Sequence, residues 1–197
     1  MRTVLRTWKP PAPEEAQFYS HEADGRYSTM EALRRDTFEE WQLDKGLLRG
    51  MLRHALQLDA TVADLGAGSG HYSKWLNDTG LASAYAYDGS PEIELVTTGA
   101  VHSADLTKPL ELGRMFDWVL CLEVAEHIPK EHSSTLLRNL KQHSTRGLIM
   151  SWSDDWEGIG HVNCLSREEF VATVERETGY KLDAAATELV RRSCEID

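Results

Sequence analysis

Cysteine is scarce in these 197 residues: only Cys121, Cys164 and Cys194 occur, and no two are spaced as CxxC. That argues against a disulfide framework or a zinc knuckle and makes a reducing, cytoplasmic setting the expectation. No apolar run approaches the ~20 residues needed to cross a bilayer. Residues 1–15 lack the apolar stretch of a secretory signal, although Arg2, Arg6 and Lys9 precede the first acid, Glu14, and leave organelle targeting open. Positive charge is also short, with 21 Lys and Arg against 32 Asp and Glu, a net charge of −11 and no basic patch. Such a chain repels phosphate backbones, so a general nucleic-acid binder is disfavoured. Repeats and low-complexity tracts are absent. The apolar fraction of 41% and charged fraction of 27% are those of a globular chain long enough to bury one core.

What is present falls into two parts. Residues 1–35 begin irregularly, since Lys9-Pro10-Pro11-Ala12-Pro13 cannot propagate a helix. With Phe18, Tyr19, His21 and Tyr27, and with Trp41 just beyond, they read as an N-terminal extension or lid. Residues 36–197 read as one domain. Phe38, Trp41, Leu48, Met51, Leu52, Ala55 and Leu56 recur at helical spacing across 36–58. Short apolar runs then alternate with helical patterns. Strands are expected at 61–65, 83–87, 101–104, 116–122 and 147–152, with helices through Tyr72 and Leu76, after Ser90-Pro91-Glu92, through Leu136, Leu137 and Leu140, and from the capping-box spacing Ser166–Glu169. This alternation specifies a doubly wound α/β fold, a mostly parallel sheet with helices on both faces. After 180–182, a weak strand candidate, a helix is expected over 184–192 and no terminal pair of strands is evident. The sheet is therefore expected to end on an open edge, available for self-association into a homo-oligomer.

In such sheets ligands bind beyond the carboxyl ends of the strands. The first strand ends in Asp64-Leu65-Gly66-Ala67-Gly68-Ser69-Gly70, whose glycines let the backbone turn sharply and approach a flat or anionic ligand closely. A dinucleotide fingerprint would place its last glycine where His71 stands, which disfavours an NAD oxidoreductase. The GxGxG form, with an acid two residues ahead, instead resembles the first motif of class I (Rossmann-like) S-adenosylmethionine-dependent methyltransferases. Asp88-Gly89 at the end of the second strand, Asp105-Leu106 after the third and Phe116–Glu123 on the fourth fall where that family has its further motifs. The resemblance covers about 61–180. It implies a cofactor site of Asp64, Gly66, Ala67, Gly68, Gly70, Asp88, Gly89, Asp105, Leu106 and Cys121. Asp88 would accept from the ribose hydroxyls, Asp105 from the adenine amine, and Leu106 would pack on the ring. Cys121 also reads as a small core hydrophobe, since no proline precedes it and it lies within an apolar strand.

The acceptor side is carried by Glu123-Val124-Ala125-Glu126-His127-Ile128-Pro129. Glu126 and His127 follow Glu123 by three and four residues, so a helical turn returns them to its side. Two carboxylates and an imidazole suit a hard or borderline divalent cation, Mg or Zn. The segment resembles a Glu-x-x-Glu-His motif of ubiquinone-biosynthesis O-methyltransferases and of small-RNA 2′-O-methyltransferases. The latter resemblance implies His161 as a further ligand, completing Glu123, Glu126, His127 and His161, with His127 and His161 as catalytic candidates. The same residues also read as turn caps or as lining of an acceptor pocket. No Asn/Asp-Pro-Pro-Tyr follows the fourth strand, so an exocyclic-amine DNA methyltransferase is disfavoured. The long loop 151–164 reads as a wall of the acceptor site, with Trp152 and Trp156 supplying apolar surface or packing into the core. The expected activity is methyl transfer to oxygen or nitrogen of a small molecule. RNA 2′-O-methylation and a cofactor-binding scaffold without turnover are the alternatives.

Overall fold

The computed structural model describes residues 43–158 and 160–196, so the expected lid at 1–35 lies outside the described residues. In chain order the elements are α1 (Lys45–His54), β1 (Ala60–Leu65), α2 (His71–Thr79), β2 (Ala82–Asp88), the single turn α3 (Ile93–Val96), β3 (Val101–Ser103) and β4 (Phe116–Cys121). Two 3₁₀ turns (Ala125–His127 and Lys130–His132) lead into α4 (Ser133–His143), followed by β5 (Ser144–Met150), α5 (Arg167–Thr178) and α6 (Ala184–Arg192). The strands form one all-parallel sheet in the order β3-β2-β1-β4-β5. β1 is central, pairing Ala60 with Ala82 and Val62 with Trp118. The order reverses beside it, so the loop after β1 stands at the crevice where such sheets bind ligands.

Strand alternation sorts the core into two layers. Ala63, Leu65, Val119 and Cys121 face Leu136, Leu137 and Leu140 of α4 and Phe170 of α5. Val62, Ala84, Leu120 and Ile149 face Leu48 and Met51 of α1, Leu76 of α2 and Val190 of α6. Each such leucine contributes roughly 1.5–3 kcal/mol by leaving water. α6 lies along α1, and a side-chain carbon on Gly50 would come within 2.8 Å of Ser193 Cβ. Asp44 clasps the pair. Its carboxylate caps α1 by accepting from Leu47 N at 2.7 Å and also accepts from Glu195 N and Ile196 N at 3.1 and 3.3 Å.

Several expected boundaries shift. α1 begins at Lys45, and the expected helical residues 36–42 lie outside the described residues. Ser90 does not cap a helix; instead of accepting from helix amides, its hydroxyl donates to the Asp88 carboxylate at 2.6 Å, a charge-assisted bond, and Glu92 opens α3. β5 starts at Ser144 and ends at Met150, so Trp152 lies beyond the strand. Residues 180–182 form no strand: Gly179 ends α5 in the left-handed conformation, and Tyr180 turns back to donate its hydroxyl to Ser144 O at 3.0 Å. The capping box Ser166–Glu169 forms with both reciprocal bonds. Among the described residues the sheet has five strands, with β3 and β5 at its edges.

Candidate active site

The loop after β1 is held from two sides. Gly66 N and Ala67 N both donate to Tyr87 O, and Gly68 N donates to Asp88 Oδ2 at 2.8 Å. At Gly66, φ is +85° and a Cβ would stand 2.3 Å from Val124 Cγ2, so both conformation and space demand glycine. At Gly68, by contrast, nothing lies within 4 Å of where a Cβ would be. This side of the loop is open to a ligand. Asp64, behind the loop, is buried and accepts from Ser73 Oγ at 2.9 Å. Burial, only partly offset by Ser73, raises its carboxyl to about 7.

The structure gathers the expected cofactor residues at this end of the sheet, with particular roles for each. Asp88 is buried; besides Gly68 N it accepts from Ser90 N and Oγ, so one carboxylate organises both loops and retains lone-pair capacity on Oδ2. Gly89 follows it in the turn. Asp105 accepts from Thr107 N and Oγ and pairs with Lys108 Nζ at 2.7 Å. Its partial burial would raise the carboxyl, but Lys108 and Thr107 overcome that and hold it at about 2. Leu106 and Cys121 are both taken up by the core beneath the site. Burial, reinforced by Glu126 and Asp64, pushes the Cys121 thiol far up, so it is inert as a nucleophile.

A second cluster of polar side chains forms where β4 ends. Glu123 adopts a left-handed φ of +55°, which turns the chain into the 3₁₀ turn Ala125–His127. Glu126 is fully buried, and neither carboxylate oxygen has a hydrogen-bond partner. Its own backbone first, then the Ser153 backbone and the Glu123 carboxyl, partly offset the cost of burial without making a hydrogen bond to it. Glu126, His127 and His161 each bring one ligand atom to within 4.8 Å of the other two. The imidazoles stand edge to face with centroids 4.9 Å apart. His127 Nδ1 lies 3.0 Å from Gly160 O, and His161 Nδ1 lies 2.6 Å from Asp155 O. A carbonyl can only accept, so in each ring Nδ1 carries the proton that faces it.

Three of the four expected ligands therefore converge, and Glu123 stands beside them. Its Oε1 accepts from Ser151 Oγ at 2.8 Å. Desolvation and the Glu126 charge push the Glu123 carboxyl up, although the residue still exposes surface to solvent; burial above all pushes Glu126 up. An unpartnered buried carboxylate costs several kcal/mol unless something compensates it. Together with His127 and His161, Glu126 has the donor set of a divalent cation site.

The loop 151–164 is bolted to this turn. Val162 N and Asn163 N donate to Glu126 O, and the Asn163 side-chain amide donates to Ile128 O and Ser133 Oγ. Trp152 is not acceptor-site wall: it is buried against Phe170, with Nε1 donating to Asn163 O at 2.6 Å. Trp156 does face solvent, at 65% exposure. Reading the sequence misses Ser151, Asn163 and the two orienting carbonyls. Ser151 had a signal, a hydroxyl just after an apolar strand; backbone carbonyls leave none.

Residues 33–182, about three quarters of the chain, match the methyltransferase-domain family. The chain belongs to that family. This methyltransferase has the class I S-adenosylmethionine-dependent fold, and solved relatives share it. Magnesium protoporphyrin IX methyltransferase from Synechocystis PCC 6803, solved with bound S-adenosylmethionine, is 18% identical and aligns over 88% of this chain and 89% of its own, with a TM-score of 0.58. A TehB-like S-adenosylmethionine-dependent methyltransferase from Corynebacterium glutamicum is 16% identical over 84% of each chain, also at 0.58. The methyltransferase domain of bacterial CtHen1-C is 16% identical, over 66% of this chain and 82% of that one, with a TM-score of 0.51. At these identities the likeness is one of fold. No curated protein sequence matches the chain. Among the described residues, no helix of the methyltransferase is long and apolar enough to cross a membrane.

Proposed function

We propose that this methyltransferase moves the methyl group of S-adenosylmethionine to an oxygen, or a nitrogen, of a small-molecule acceptor beside a divalent cation held by Glu126, His127 and His161. The observation that carries the reading is the buried Glu126 carboxylate, without a bond partner and gathered with His127 and His161 so that one ligand atom of each lies within 4.8 Å of the others. A bound cation supplies Lewis acidity, lowering the pKa of an acceptor hydroxyl.

The chain's own residues do the rest. The open side of Gly68, whose N–H is held by Asp88, receives the nucleoside: Asp88 has acceptor capacity for ribose hydroxyls, and Asp105, just beyond β3, stays ionised to accept from an amine. Gly66 packed on Val124 ties this loop to the turn bearing Glu126 and His127. Cofactor and acceptor are thereby held in one rigid frame, and such alignment supplies most of the rate in group transfer. The net charge of −11 favours a small molecule over RNA.

The test is formation of S-adenosylhomocysteine over a panel of phenols, amines and short RNAs, with and without chelator. Turnover of a small molecule that chelator abolishes, with cofactor affinity unchanged, is the expected result. Glu126→Ala should behave like chelation. Full turnover in excess chelator would remove the cation and leave His127 as an acceptor-pocket group. Turnover of RNA alone would overturn the acceptor class.

A further inference from the structure

Ser151 belongs to no sequence motif, yet it occupies the junction between the two strands that build the acceptor side. Cys121 and Met150 close the β4–β5 register, and Ser151 N extends that ladder by donating to Cys121 O at 3.1 Å. The next rung is made by the side chain. Glu123 N donates to Ser151 Oγ at 2.7 Å, and the same hydroxyl donates its proton to Glu123 Oε1 at 2.8 Å. Ser151 is buried, with 6% exposure, so water cannot readily replace it.

This pair of hydrogen bonds to one residue does two things. It satisfies the backbone N–H of a non-glycine residue held at φ +55°, a conformation that persists only where neighbours impose it. It also engages Oε1 and so limits the rotation of the Glu123 carboxylate, which keeps Oε2 and a second lone pair on Oε1 for a ligand. Resting on the cation reading above, we propose that Ser151 is a positioning residue that aims Glu123 at the site formed by Glu126, His127 and His161. Carboxylates that bind metals are themselves oriented by hydrogen bonds, and losing such an outer partner typically costs 10–100-fold in metal affinity.

The test uses Mn²⁺ titrated into the full chain and followed by electron paramagnetic resonance. Ser151→Ala is expected to weaken Mn²⁺ binding about 10–100-fold and to lower the melting temperature, because Glu123 N–H loses its partner, while S-adenosylmethionine affinity stays near that of the unaltered protein. Ser151→Thr, which keeps the hydroxyl, should restore most of the binding. In a Glu123→Ala background, Ser151→Ala should have no further effect on Mn²⁺ affinity, because the carboxylate it aims is gone; a merely structural role, through the N–H of residue 123, would still add its own loss of Mn²⁺ affinity there. Mn²⁺ affinity unchanged in Ser151→Ala, or fully additive losses in the double variant, overturns the positioning role while leaving the cation site standing. Failure of the unaltered protein to bind Mn²⁺ overturns the cation reading and this inference with it. If Ser151→Ala does not fold, Ser151→Thr and Ser151→Cys decide: equal affinity in both, despite the weak thiol donor, overturns the proposal.

Discussion

Asp88 uses one carboxylate to pin Gly68 N and both polar groups of Ser90, so it stands between two loops as well as facing the nucleoside space. Asp88→Ala should therefore weaken S-adenosylmethionine binding by about 2 kcal/mol, roughly thirtyfold, by calorimetry. Unchanged affinity in a folded variant would remove Asp88 from the cofactor site. Asp64 acts through pH. Its carboxyl is raised from 3.8 to about 7 in the folded protein, so between those values the native state binds more protons than the unfolded chain. Stability from this group is complete below about pH 4 and falls as pH rises toward 7. Asp64→Asn should flatten that part of the fall in ligand-free unfolding curves and be the more stable protein at pH 8. A parallel pH profile for both proteins would show that Asp64 is not buried as a charged group.

Whole elements were legible wherever one local rule settled them. The capping box at Ser166 and Glu169 placed the start of α5, and a helix was legible over 184–192, where the structure adds Asp183 as the cap of α6. The GxGxG run and the acid at the end of β2 marked one half of the site, because cofactor loops need particular backbone residues. The other half was legible only as residue types. Nothing local to His161 says that Asp155 O turns its ring, or that Glu126 O receives Val162 N, since those contacts are set by the docking of one loop on another. The same holds for Ser90, whose capping role was overridden by a nearby charge. Asp44 was equally hidden. By capping α1 and holding Glu195 N and Ile196 N it couples two helices far apart in sequence. Asp44→Ala should cost about 2 kcal/mol in urea unfolding, one part the lost cap and one part the released terminal segment. A loss below about 0.5 kcal/mol would show that water replaces these bonds.

Across the whole molecule, five parallel strands leave β5 hydrogen-bonded to β4 alone among the described residues. Its outer backbone groups can pair with a second copy of the chain. Concentration-dependent self-association in sedimentation velocity is the expected outcome. A protein that stays monomeric up to high concentration would show that this edge is covered. The sheet's length reflects a local event: the left-handed Gly179 and the Tyr180 hydroxyl bonded to Ser144 O direct the chain away from the edge toward α6.

Loops at this end of such sheets are ordinarily where enzymes diversify, because side chains there change without disturbing the frame. The segment carrying Asp155, Gly160 and His161 is not free in that way, since its main chain, rather than its side chains, turns both imidazoles. Side chains facing solvent, such as Trp156, can drift; insertions and deletions cannot. Even Gly158 is constrained, for a methyl group there would come within 2.3 Å of the His161 ring and drive it from Asp155 O. In a library of single substitutions and one-residue indels, positions 154 and 156 should tolerate exchange. Gly158→Ala and any change of length between 155 and 161 should abolish Mn²⁺ binding in proteins that still fold. The history of this lineage would then show neutral variation of composition at constant loop length.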